Sequence, residues 1–105
     1  EKDAVISWGE PAAGVYNLIR GTNPQPGATT RYRGGELKIF DCRLLPESSS
    51  HSPGEVVEVG PEGFAVAAPG GVVLVKRVQP QGSGKMGAPE YVGSVALKAG
   101  DRLGK

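Results

Sequence analysis

One cysteine and one histidine in 105 residues remove several classes of function at once. Cys42 alone excludes an intrachain disulfide. Together with His51 it still leaves a structural metal site short of the roughly three or four thiolate or imidazole ligands such a site uses. A Ser-His-Asp or Cys-His catalytic arrangement would have to recruit His51. That residue stands in Ser48-Ser49-Ser50-His51-Ser52-Pro53-Gly54, a polar stretch with the composition of a disordered connecting loop. Long apolar runs are also missing. Groups such as Val72-Val73-Leu74-Val75 fall far short of the ~18–20 residues of a membrane-spanning helix. The opening Glu1-Lys2-Asp3 carries neither an initiator methionine nor an apolar signal region, and reads as part of something longer.

Glycine and proline are plentiful: 17 and 9 residues, about a quarter of the chain, which demands many turns and short elements within one domain. The net charge is only +1, but its distribution is uneven. Residues 1–35 carry four bases and three acids (+1), residues 36–62 two and six (−4), and residues 63–105 six and two (+4). Bringing the first and last segments together would set a basic face opposite an acidic one and steer a polyanion; the alternative, favoured by charge alone, is that these are ordinary solvated charges.

Pro11 suits a first helical position. Ala12, Val15, Tyr16 and Ile19 then follow at the spacing of one buried helical stripe, flanked by Leu18. Arg20 complements the helix dipole, and Gly21 offers a left-handed stop. Ahead of it, Val5 to Trp8 is a short extended entry, with Trp8 packing at the helix start. Thr22-Asn23-Pro24-Gln25-Pro26-Gly27 is a rigid turn. Strands follow over residues 28–33 and 36–44, joined by the hairpin signal Gly34-Gly35. Leu37 and Ile39 have one parity and Phe40, Cys42 and Leu44 the other, so a bulge near Phe40 is expected. Further strands read over 54–59, 64–68 and 71–78, a helical turn near 86–91, and a turn with a last extended piece over 99–103. The fold class is mainly β with one N-terminal helix: a small antiparallel OB-like barrel of five to six strands, closed on itself, filling residues 1–105 as a single domain.

The motifs that could carry chemistry fail individually. Gln81-Gly82-Ser83-Gly84-Lys85-Met86 ends in Gly-Lys, but Met86 replaces the Ser/Thr of a phosphate loop and position 79 is not glycine, so it reads as a turn. Glu55 and Glu58 fall on opposite faces of a strand and cannot share a proton. Cys42 reads as a small buried hydrophobe. No nucleophile stands with a base and an orienting group, so the chain has no self-sufficient active site and positions something for a catalytic partner.

The order of segments carries a resemblance. Ile6-Ser7-Trp8, Pro11-Ala12, Tyr16-Asn17-Leu18-Ile19-Arg20-Gly21 and Asn23-Pro24-Gln25-Pro26-Gly27-Ala28 are followed by Leu37-Lys38-Ile39-Phe40 and Pro53-Gly54-Glu55-Val56. Val78-Gln79-Pro80, Gly84-Lys85-Met86 and Gly100-Asp101-Arg102-Leu103 complete the series. In this order they resemble the C-terminal domain of the 10-formyltetrahydrofolate-dependent formyltransferases over nearly the whole chain. The resemblance implies an OB-like barrel and a cytoplasmic parent enzyme whose N-terminal domain binds 10-formyltetrahydrofolate and transfers the formyl group, with methionyl-tRNA the first-choice acceptor. This domain would hold no cofactor, metal or catalytic residue. Its partners would be its own N-terminal catalytic domain and initiator tRNA.

On charge and placement, Arg20, Arg31, Arg33, Lys76, Arg77 and Lys85 are the candidates for contact with tRNA phosphates. Tyr32, between two arginines, is either a base-stacking platform or a half-buried strand aromatic. The alternative is a packing domain, as in the dehydrogenase/hydrolase-like or sugar-formylating relatives, with no nucleic-acid role. A basic groove favours the first reading and an apolar patch the second.

Overall fold

The computed structural model describes residues 4–21, 28–32, 35–45 and 52–103. Its elements in chain order are β1 (Ala4–Val5), α1 (Ala12–Gly21), β2 (Ala28–Tyr32), β3 (Gly35–Leu45), β4 (Val56–Gly60), β5 (Gly63–Ala68), β6 (Gly71–Pro80), β7 (Met86–Gly87) and α2 (Ala88–Val95). The polar stretch around Ser48–His51, the turn at 22–27 and the tip residues 33–34 lie outside the described residues.

Helix α1 forms where the apolar spacing requires it. Ala12, Val15 and Ile19 are buried on one stripe, and the Pro11 carbonyl accepts the Gly14 and Val15 amides at 2.8 and 3.1 Å. Pro11 therefore stands one residue ahead of the helix, where a missing N–H costs nothing. Full burial of Ile19 contributes about 1.5–3 kcal/mol. Gly21 does not supply the expected left-handed stop: it is the last helical residue, with φ outside that region.

The strands pair in the order β1-β2-β3-β6-β5-β4, with β7 added beside β6. All neighbours are antiparallel except β1, which runs parallel to β2. The mainly β architecture with its N-terminal helix stands as expected, but among the described residues no ladder closes the sheet, and β1 and β4 remain its ends. Side chains and the C-terminal segment close the gap instead. Residues 100–103 run along 54–56 through Gly100 N–H to Val56 O (2.8 Å), Val56 N–H to Asp101 O (2.7 Å) and Leu103 N–H to Gly54 O (2.8 Å). From the far end, the Tyr32 hydroxyl of β2 donates to Asp101 Oδ2 at 2.9 Å. Trp8 is buried beside Gly54 and donates from Nε1 to Thr30 Oγ1 at 3.0 Å. Gly54 has φ +88, and a Cβ there would stand 2.8 Å from the Leu103 carbonyl oxygen, so only glycine lets this seam form.

The core joins Val15 and Ile19 of α1 to Leu37, Ile39 and Cys42 of β3, Phe64 and Val66 of β5, Val73, Val75 and Val78 of β6, and Tyr91 of α2. The expected bulge near Phe40 is present: β3 and β6 slip register between Ile39 and Asp41, and again between Asp41 and Cys42. The first slip adds a residue on β3 and the second adds one on β6, because Ile39 faces Val78, Asp41 faces Arg77, and Cys42 faces Val75. The irregularity is thus a matched pair, and the ladder continues in phase on both sides of it.

Candidate nucleic-acid interface

The paired bulges decide what the outer face of the sheet presents. Ile39 and Cys42 both face the core, as do Val75 and Val78. The two residues between each pair are therefore turned to the other side: Phe40 with Asp41 on β3, and Lys76 with Arg77 on β6. Regular alternation would have sent one member of each pair inward. Arg31 shares the outer face, since Thr30 and Tyr32 on either side of it are buried. Lys85 precedes β7, whose Gly87 pairs with Arg77 and whose Met86 pairs with Val78, so parity puts Lys85 outward as well. Strand β6 lies between β7 and β3, yet the Lys85 ammonium reaches across it to stand 4.2 Å from the centroid of the Phe40 ring.

The outer face thus assembles Arg31, Lys76, Arg77 and Lys85. Arg20 stands apart on α1, its Nη1 donating to the Tyr16 hydroxyl at 2.9 Å and its guanidinium lying 5.5 Å from that ring. Arg33 lies outside the described residues. Lys38 is a further basic residue on this face, opposite Thr29 on one side and Gln79 on the other. Its alternation with Leu37 and Ile39 was the sequence signal that could have found it.

Among the described residues the charges do not separate into a basic and an acidic face, as the alternative of ordinary solvated charges has it. Strand β3, from the acidic middle of the chain, lies between β2 and β6, so opposite charges interleave: Glu36 faces Arg31 and Asp41 faces Arg77. Tyr32 is not a stacking platform. It is buried, its ring packs edge-on to Tyr91 at 6.3 Å, and its hydroxyl is engaged by Asp101.

Hydrolytic or thiol chemistry finds no support among the described residues. Burial of the Cys42 thiol, reinforced by the Asp41 carboxylate and opposed by Arg20, pushes its pKa from an ordinary 9.0 up to about 12, which leaves it an inert core group. Glu55 accepts the Ser52 amide at 3.2 Å, and Glu58 is exposed on the outer face opposite Ala65. The described residues contain no cluster of three or more His, Cys, Asp or Glu able to hold a metal, and no helix long and apolar enough to cross a membrane.

Two concavities bear on ligand size. One, of about 200 Å³, is lined by Glu36, Lys38, Gln79, Pro80, Gln81 and Gly82. The other, about 210 Å³, lies over β3 to β4 and is lined by Leu45, Ala65, Leu74 and Pro61 with Glu58 and Glu62. Both fall below the roughly 300–1,000 Å³ of a site that encloses a drug-sized ligand, so neither suits a folate.

A model of the formyl transferase, C-terminal domain family matches residues 1–95. The chain belongs to that family. The domain is 46% identical over 103 residues to methionyl-tRNA formyltransferase of Moorella thermoacetica, and 43% identical over 103 residues to that of Symbiobacterium thermophilum. These matches take in 98% and 96% of the domain but only 33% and 32% of the relatives, so the chain spans about a third of their length. In backbone, the domain is similar to HypX from Aquifex aeolicus. One variant crystal structure gives a TM-score of 0.74 at 18% identity, over 92% of this chain and 18% of that one. The HypX complex with tetrahydrofolic acid gives 0.69 at 22% identity, over 85% of this chain and 16% of that one. At these identities the likeness is one of fold.

Proposed function

We propose that this domain is the non-catalytic C-terminal part of a cytoplasmic formyltransferase that moves a formyl group from 10-formyltetrahydrofolate to methionyl-tRNA, and that it helps hold the tRNA. The similarity to methionyl-tRNA formyltransferases over nearly the whole chain carries this reading. The shortage of catalytic groups supports a positioning role: the folate and the reacting atoms belong to the part of the enzyme outside this chain. The outward cations Lys38, Lys76, Arg77 and Lys85 would contact phosphates, fixing orientation rather than reading sequence, while Arg31 is offset by Glu36 opposite it. The test is titration of the enzyme with initiator tRNA at about 50 and 200 mM salt, elongator tRNA competing, with and without this domain. A steep loss of affinity with salt that requires the domain supports the reading. Binding indifferent to removal of the domain overturns it.

A second reading has its own observation. The concavity lined by Leu45, Pro61, Ala65 and Leu74, with Glu58 and Glu62, is largely apolar, which suits a domain that packs against its catalytic neighbour and contacts no nucleic acid.

A further inference from the structure

Resting on the tRNA reading, we infer that the paired bulge of β3 and β6 forms a seat for adjacent backbone phosphates, in which Phe40 is a positioning residue for Lys85. Phe40 is 4% exposed yet stands outside the core cluster, so it is buried on the outer side, beneath side chains of that face. The ammonium of Lys85 stands over its ring at 4.2 Å. Lys85 itself follows the exposed turn Gly82-Ser83-Gly84, where a lysine tethered only by its backbone would sample many rotamers. The ring's negative face restrains it through a cation–π contact. The same bulge turns Lys76 and Arg77 to the outer face, on the strand next to Phe40. Asp41 faces Arg77 across the ladder and limits the local excess of positive charge. An anion carrying one charge per residue, as an RNA backbone does, matches this arrangement; an extended anionic surface does not.

The ring's role separates from mere packing in a double-mutant cycle on the full-length protein that carries this domain. Phe40→Leu keeps an apolar side chain but removes the ring, Phe40→Tyr keeps the ring, and Lys85→Ala removes the cation. Initiator tRNA and single-stranded poly(U) serve as probes. The expected results are a two- to fivefold weaker binding for Phe40→Leu, near-normal binding for Phe40→Tyr, and no further effect of Phe40→Leu in the Lys85→Ala background. Lys85→Ala lowers the salt slope by about 0.7–0.9. Equal weakening by Phe40→Leu with and without Lys85 overturns the seat, as does unchanged binding of Phe40→Leu. Failure to bind tRNA while poly(U) shows the coupling rejects the tRNA reading and keeps the seat. Failure to bind either probe rejects both.

Discussion

A methyl group at position 63 would stand 1.9 Å from the Val75 carbonyl oxygen, inside the β5–β6 ladder, and Gly63 has φ +148. The obstacle is backbone in a paired strand, so neither side can yield cheaply. Gly63→Ala is expected to cost about 3 kcal/mol or more in urea unfolding. Gly14 in α1 meets nothing within 4 Å, and Gly14→Ala is expected to gain about 0.5–1 kcal/mol by helix propensity. Equal effects at the two positions would contradict the packing described. Cys42 gives a residue-scale prediction in pH. Its folded pKa is raised to about 12 from an ordinary 9.0, so the unfolded chain releases the proton first. Its contribution is intact below about pH 9 and disappears as pH rises toward 12. Cys42→Ala should lower stability at neutral pH by removing a buried group, and should show a shallower alkaline decline than the parent, by up to one proton. An unchanged alkaline slope would mean that the thiol is not held neutral by burial.

At the scale of elements, the seam between β2 and the C-terminal segment is the part that side chains must complete. Tyr32 donates to Asp101 Oδ2, which also accepts the Lys98 amide at 3.1 Å, so one carboxylate ties the turn at 98–101 to a strand at the other end of the sheet. Tyr32→Phe keeps the ring packed on Tyr91 but removes the donor. It should cost about 1.5–3 kcal/mol, the range for a hydrogen bond to a charged group, measured by denaturant unfolding. A cost near zero would show that water replaces the bond. This seam also marks where sequence reasoning stopped. Helix α1, the β2–β3 hairpin and the turns before β5 and β6 follow from local spacing and glycine or proline, and each is present. The bulge was legible too, because one strand held two apolar parities that could not both face inward. Parallel pairing of β1, the open ladder and the engagement of Tyr32 depend on partners up to 69 residues away, which leave no local periodicity. The face that Phe40 takes is not legible for a related reason: parity predicts a face, but a bulge on each strand reassigns two.

At the scale of the whole molecule, the net charge of +1 says little about binding, because the domain measures 33 × 30 × 23 Å and screening acts within about 8 Å at physiological salt. Each patch is felt on its own. The six expected phosphate contacts therefore divide by surroundings rather than by charge. Arg20 is occupied by Tyr16 on the helix, and Arg31 faces Glu36 across the hairpin, so neither presents a free positive field. Lys76 and Arg77 share the bulge with Lys85, against the one facing acid, Asp41. Charge interleaving by β3 is what makes this division, and the charge of each segment carries no trace of it. In the full-length protein, Arg20→Ala with Arg31→Ala should change tRNA affinity by about twofold at most and leave the salt slope intact. Lys76→Ala with Arg77→Ala should reduce the slope by about 1.5–2, roughly one for each phosphate no longer neutralised, with about tenfold weaker binding near 50 mM salt. The measurement is a salt series of binding isotherms for both pairs. Equal weakening by the two pairs would mean a diffuse field without a preferred seat, and unchanged binding in both would shift the balance to the apolar concavity over β3 to β4, where the domain meets protein rather than RNA.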